Sequence, residues 1–167
     1  MLLIYTGNGK GKTSASVGQA IRAHGRGLVV AFGQFMKRPE QAGEQKVLAD
    51  LLGDLFRAGG LGFFRNEDSR EKHRLAAREL LQWAEGLLAS VDMLVLDECL
   101  YALGNGLLLP EEVNDLTAKS GEAGVHLVLS GRGLPDWLEE RADLVTEMTE
   151  VKHPYANGRQ AAPGIEY

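Results

Sequence analysis

The sequence predicts an α/β fold: a mostly parallel β-sheet flanked by helices. Two observations carry this expectation. Short apolar runs recur at 2–5, 28–32, 91–96, 125–129 and 144–148, with helical stretches between them. The runs are nearly continuous in apolar character, as in strands covered on both faces. Strands alternating with helices imply a parallel sheet.

The first run, Leu2-Leu3-Ile4-Tyr5, leads into a helix over about 12–25 that stops near Gly25 and Gly27. In that helix Ser14, Ala15, Ser16 and Gly18 are small enough to let it lie close to a sheet. A long helix is expected over 69–89. Its apolar positions Ala77, Leu80, Leu81, Ala84, Leu87 and Leu88 recur at helical spacing. Another helix begins at Pro110, with Glu111 and Glu112 in the turn where a helix dipole favours acids. A short one follows Pro135. Segments 53–68 and 152–167 are rich in glycine and polar residues and read as loops. The length of 167 residues suits a single domain spanning 1–167.

Between the first strand and its helix stands Gly7-Asn8-Gly9-Lys10-Gly11-Lys12-Thr13-Ser14. Strand, glycine-rich turn, Lys-Thr and helix is the layout of a phosphate-binding loop. Such a turn points backbone N–H groups into a concave site, and the helix N-terminus adds partial positive charge. Lys12 can reach terminal phosphates, and the Thr13 hydroxyl can ligate Mg2+. Gly7, Gly9 and Gly11 allow dihedrals and close approaches that a side chain would block. The usual spacing, G-x-x-x-x-G-K-[ST], would put glycine at position 6, where this chain has Thr6. The loop is one residue short. A plain strand-to-helix turn is the alternative, but it leaves the Lys-Thr pair at the helix start without a purpose.

A second signature is Met93-Leu94-Val95-Leu96-Asp97-Glu98, an apolar strand ending in two acids. Strand C-termini in an open α/β sheet face the ligand crevice. In phosphate-loop proteins an acid here holds Mg2+ directly or through water. One of the two acids could instead orient water, which keeps a nucleotide hydrolase open.

Composition excludes several classes. A net charge of −5 argues against a general nucleic-acid binder, which shows a basic face. The single cysteine, Cys99, rules out an internal disulfide and fits a reducing compartment. No segment approaches the ~20 apolar residues of a membrane span. The first residues lack a charged leader and cleavage site, so a cytoplasmic protein without a membrane partner is expected.

With these residues read, the chain resembles the P-loop ATP:corrinoid adenosyltransferases over nearly its whole length. The short loop Thr6–Thr13 has that family's form. Ile21-Arg22-Ala23-His24-Gly25, Gly33-Gln34-Phe35-Met36-Lys37, Leu96–Leu103 and Leu129-Ser130-Gly131-Arg132-Gly133 follow at matching spacing. The most specific part is the end: Asp143–Met148, Glu150–Tyr155, Gly158 and Pro163-Gly164-Ile165-Glu166-Tyr167.

The resemblance implies a P-loop nucleotide-binding (RecA-like) fold and a reaction in which corrinoid Co(I) attacks C5′ of ATP and releases triphosphate. It implies ATP as co-substrate, Mg2+, an electron donor such as a reduced flavoprotein, and a homodimer. Carried over residue by residue, Gly7 through Ser14 bind triphosphate. Lys12, Thr13 and Glu98 are catalytic, and Thr13 and Glu98 hold the metal with Asp97 in support. Arg22 is either near the nucleotide or a surface arginine. Gln34 and Lys37 either line the crevice or are ordinary loop residues. Arg132 faces the crevice, toward nucleotide or corrinoid. The family has an aromatic-Thr-Trp sequence where this chain has Gly62-Phe63-Phe64-Arg65-Asn66. Phe63, Phe64 and Arg65 are the corrinoid-side candidates, with core packing the alternative for the two phenylalanines. A phosphate-loop hydrolase or kinase and a non-catalytic ATP and corrinoid carrier are the competing readings; the change at Arg65 favours the carrier.

The remaining candidates are not catalytic: His153, in the tail that resembles the family's, is expected in a structural or adenine-side role. His24, His73, His126 and His153 lack metal-ligand spacing, and His126, in an apolar strand, is expected in the core. Cys99 is expected as a small packing residue. Trp83 and Trp137 are expected as packing or interface residues on helices.

Overall fold

The computed structural model describes residues 1–64, 67–153, 158 and 160–165. The expectations for Arg65, Asn66, Pro154, Tyr155, Glu166 and Tyr167 lie outside the described residues. The chain opens with β1 (Leu2–Thr6), α1 (Lys12–His24), β2 (Val30–Gln34), α2 (Gly43–Leu52) and β3 (Phe56–Ala58). Then come α3 (Arg70–Gly86), β4 (Met93–Asp97), α4 (Cys99–Gly104) and α5 (Pro110–Glu122). It closes with β5 (His126–Ser130), α6 (Asp136–Glu139) and β6 (Leu144–Glu147). The described strands form one sheet in the order β3-β2-β4-β5-β1-β6. Every pairing is parallel.

Strand side chains alternate between two apolar layers. Val30 and Phe32 of β2 and Met93 and Val95 of β4 meet Ala20 and Ala23 of α1 and Leu48 and Leu52 of α2. Leu94 and Leu96 of β4 and Leu127 and Leu129 of β5 face the other way. There they join Ala77, Leu80, Leu81 and Ala84 of α3 and Val113 and Leu116 of α5. Trp83 and Trp137 pack against this second layer as expected. Cys99 is fully buried within it, and burial pushes its thiol up to about 12, which leaves it inert as a nucleophile.

The strands run further than their apolar stretches. β2, expected at 28–32, occupies Val30–Gln34, and β4 extends to Asp97. Each of four strands closes on a buried polar residue at its C-terminal end: Thr6, Gln34, Asp97 and Ser130. Apolar patterning cannot see these ends; three of them, Gln34, Asp97 and Ser130, are joined by side-chain hydrogen bonds on Asp97.

Three elements were not expected. The supposed loop over 53–68 contains the short strand β3, paired with β2, and two 3-10 turns. α2 is preceded by Ala42, which offers no side-chain cap. Instead the Gln45 amide oxygen accepts from the Gln41 and Ala42 N–H groups at 2.7 and 3.3 Å. α4 begins directly after β4. Two packing expectations also need correction. His126 is only half-buried, 3.5 Å from the N-terminal amine, because it opens β5 at the sheet's rim. In α1, fully buried Ser16 meets the sheet, whereas a Cβ at Gly18 would find open space.

Candidate nucleotide site

The phosphate-type loop leaves β1 and turns into α1 over the C-terminal edge of the sheet. Gly7 and Gly11 adopt φ of 97° and 121°, conformations that L side chains avoid. Gly7 and Gly9 are also pressed against the backbone after β6. A Cβ at either would lie 2.4 or 2.7 Å from the Met148 carbonyl oxygen. The Gly9 N–H donates to that same oxygen at 2.7 Å. These two glycines thus serve contact with the protein itself as well as the loop's curvature. Gly11 precedes α1 without a side-chain cap, so the first-turn N–H groups of the helix point toward the loop's concavity.

Lys12 is buried, and its ammonium donates to the carbonyls of Gly7 and Gly9 at 2.8 Å each. Burial pulls its pKa below the ordinary lysine value, against the attraction of Glu98. The next residue, Thr13, donates its hydroxyl to Asp97, 3.1 Å from each carboxylate oxygen.

β4 is not beside β1, because β5 lies between them. Ser130 at the end of β5 bridges the gap. Its hydroxyl donates to Asp97 Oδ1 at 2.6 Å and accepts from the Glu98 N–H at 3.2 Å. On its other oxygen Asp97 accepts from the Gln34 amide at 3.2 Å and sits 3.2 Å from the Lys37 ammonium. Asp97 is therefore a fully buried carboxylate with donors from β2, β5, α1 and the β2–α2 loop.

Glu98 stands differently. Its φ of 59° and ψ of 20° put a non-glycine residue in the left-handed region between β4 and α4. The side chain lines the cavity. Burial and then the charge of Asp97 raise its pKa. Glu44 at the start of α2 completes the acidic wall, 2.8 Å from Lys37. Burial would raise the Glu44 carboxyl, but the hydrogen bond and charge of Lys37 outweigh it and hold it below the usual carboxylate value.

These residues wall a cavity of about 770 Å³. The loop from Asn8 to Ser14 forms its floor, and Lys37, Glu44 and Glu98 stand on one side. Arg132 borders it too, donating to the Asn8 carbonyl at 3.3 Å. Phe63 and Tyr101 form an apolar corner, their rings edge-to-face with centroids 5.3 Å apart. His153, Gly164 and Ile165 bring the chain's last part to the rim.

Two expected site residues are not brought here. Arg22 lies on the exposed face of α1, ten residues or roughly 15 Å of helix beyond Lys12, with Gln19 its partner at 3.4 Å. Phe64 turns away from the cavity and packs against the core. Its ring meets His73 edge-on at 5.7 Å and lies 4.8 Å beneath the Arg70 guanidinium. Gln34 lies buried under the cavity as an Asp97 partner, while Lys37 reaches the wall itself.

Sequence reasoning missed Ser130, Glu44 and Tyr101 as site residues. For Ser130 the available signal was a polar residue ending an apolar strand, as at Asp97. Glu44 gave no signal without α2, and Tyr101 none without α4.

The donor set suits a hard divalent cation. It offers one hydroxyl, from Thr13, and carboxylates from Asp97, Glu98 and Glu44, all oxygen ligands. The Lys37 ammonium already stands as a cation among Thr13, Asp97 and Glu44. Among the described residues no three His, Cys, Asp or Glu side chains gather into a ready-made metal cluster. A metal here would draw further ligands from phosphate or water, as Mg2+ commonly does.

Comparison with known proteins agrees with the loop and the tail. The corrinoid adenosyltransferase of Escherichia coli strain K12 is 38% identical over 100% of this chain and 85% of its own length. That of Pseudomonas aeruginosa is 36% identical over 100% of this chain and 83% of its own. Corrinoid adenosyltransferase CobA of Salmonella typhimurium is 36% identical over 100% and 85%. A family model described as ATP:corrinoid adenosyltransferase BtuR/CobO/CobP matches residues 1–167, and the chain belongs to that family.

Proposed function

We propose that the chain transfers the 5′-deoxyadenosyl group of ATP to the Co(I) of a corrinoid and releases triphosphate. The observation that carries this reading is the meeting of Lys12, Thr13 and Glu98 on one cavity, with Asp97 buried behind Thr13, that the aromatic pair Phe63 and Tyr101 also lines. One end suits a triphosphate and the other a flat apolar ring system.

Co(I) of the substrate brings the electron pair. As the Co–C5′ bond forms, the C5′–O5′ bond breaks, and its electron pair leaves on the triphosphate. Cobalt is formally oxidised to Co(III). No general base is required, so the protein's tasks are to position both substrates and stabilise the leaving charge. Lys12 exchanges the Gly7 and Gly9 carbonyls for phosphate oxygens, and the N–H groups of the loop and α1 face the same charge. Thr13 and Glu98 would hold Mg2+, with Asp97 orienting Thr13 from behind. When bound, Mg2+ supplies Lewis-acid neutralisation of the triphosphate. Phe63 lies against the corrin, and Arg132 serves its polar rim or the nucleotide.

The continuous sheet supports a single domain over 1–167. A reduced flavoprotein as electron donor and a homodimer follow from the family resemblance. No described helix is long and apolar enough to cross a membrane.

The deciding experiment is an anaerobic reaction of chemically reduced cob(I)alamin, ATP and Mg2+, followed by visible spectrum and phosphate product. Adenosylcobalamin with inorganic triphosphate is the expected result. Orthophosphate without a Co–C product would overturn it in favour of a hydrolase. Binding of both ligands with neither product would overturn it in favour of a carrier.

A further inference from the structure

Lys37 stands in the acidic wall in a place that the proposed reaction leaves unexplained. Its ammonium is 2.8 Å from Glu44 Oε1, 3.2 Å from Asp97 Oδ2 and 3.4 Å from Thr13 Oγ1. Those are the kinds of oxygen a hard divalent cation takes. The backbone holds the lysine there firmly. Met36 before it is buried at φ 61°, and the Lys37 N–H donates back to the Phe35 carbonyl at 2.7 Å, a tight three-residue turn of the strained hand. Gly60 is packed so closely on this turn that a Cβ there would lie 2.3 Å from the Met36 carbonyl carbon. The Gly60 N–H also donates to the Lys37 carbonyl at 3.0 Å. The turn is thus fixed from two sides, and only the flexible four-carbon arm of Lys37 is free to reorient.

We infer that Lys37 is a resident cation, holding the Thr13 and Asp97 side of the metal subsite while nucleotide is absent and passing to the triphosphate when metal enters. This rests on the nucleotide reading above. A divalent ion held by Thr13 and Glu98 in front of Asp97 would lie within a few ångströms of the ammonium, which is itself 3.4 Å from the Thr13 hydroxyl, and like charges at that separation in a half-buried site repel strongly. Lys37 also lines the cavity that holds Lys12, so its arm has an anionic partner to move to. While nucleotide is absent, the lysine spares buried Asp97 the cost of an unpaired charge. It thereby makes metal entry depend on the arrival of triphosphate.

The test is Mn2+ binding measured by electron paramagnetic resonance, with and without ATP, in the native protein and in Lys37→Met. Without ATP, Lys37→Met is expected to bind Mn2+ roughly tenfold more tightly than native, because the competing charge is gone. The factor by which ATP tightens Mn2+ binding is expected to fall, because the lysine no longer meets the triphosphate. Lys37→Arg, which keeps the charge, is expected to return Mn2+ binding without ATP to the weak native level. Lys37→Gln repeats the measurement if the methionine variant melts below the assay temperature. Unchanged or weaker Mn2+ binding in a folded, charge-free variant overturns the exchange while leaving the nucleotide reading intact. Failure of the native protein to bind Mn2+ with ATP overturns both.

Discussion

Ser130 Oγ lies 2.6 Å from Asp97 Oδ1, a side-chain link between the end of β5 and the strand that carries the acids. Asp97 has no solvent to replace a lost donor. Ser130→Ala removes that donor and also orphans the N–H of Glu98. The expected loss of stability is about 1–3 kcal/mol, read by urea unfolding. The KM for ATP is expected to rise, because Asp97 then holds Thr13 less firmly. Native KM and native stability together would show that the bridge is dispensable.

Lys12→Ala is expected to abolish turnover and leave the fold intact. Burial already disfavours the charged lysine, so the folded state gives up little by losing it. The carbonyls of Gly7 and Gly9 lose their shared donor, but Gly9 and the vacated lysine position border a cavity that water can enter. Circular dichroism and thermal melting should match the native protein while adenosylcobalamin formation disappears. Unaltered turnover would remove the phosphate-loop assignment.

Glu98 makes a pH prediction whose sign follows from its environment. Its folded pKa is raised, by burial first and by Asp97 second, so ionisation is disfavoured in the folded state. The stability tied to its protonated form is fully present below the unfolded value, near 4.5, and is lost as pH rises through the higher folded value. Glu98→Gln cannot ionise. Its stability relative to native is expected to grow as pH climbs above 4.5 and then level off, while activity falls at every pH. Glu44 works oppositely in the native protein. Burial is outweighed by Lys37, its folded pKa is lowered, and its contribution is lost as pH falls. A Glu98→Gln advantage that shrinks with rising pH would contradict the raised value.

Much of this site can be read from residue order, because its signals are local. Lys12 and Thr13 open a helix after a glycine turn, and Asp97 and Glu98 end an apolar strand; both patterns survive without knowing what packs against them. Ser130 and Gln34 were illegible as Asp97 partners because a polar residue at a strand end looks like the strand's termination. Only the pairing order β2-β4-β5 puts them on either side of Asp97. Glu44 and Gln45 were missed with α2, whose start is capped by a side chain from inside the helix. Phe63 and Phe64 formed one candidate pair in the sequence, and only the folded chain shows that Phe63 goes to the cavity and Phe64 to the core.

That divergence gives the last prediction. Phe63 is 42% exposed at the cavity's aromatic corner, edge-on to Tyr101. Phe64 is packed against His73 and the second apolar layer. Phe63→Ala removes little buried surface, so unfolding should be near native. It also removes a face against which a corrin could lie, so the KM for the corrinoid should rise while the KM for ATP holds. Phe64→Ala should do the reverse, costing about 1–3 kcal/mol as a half-buried ring and leaving the corrinoid KM close to native once the variant is assayed below its melting temperature. Unfolding curves and substrate titrations of the two variants separate the roles. If both lose stability alike and neither changes the corrinoid KM, the aromatic corner is packing and the corrinoid docks elsewhere on the cavity.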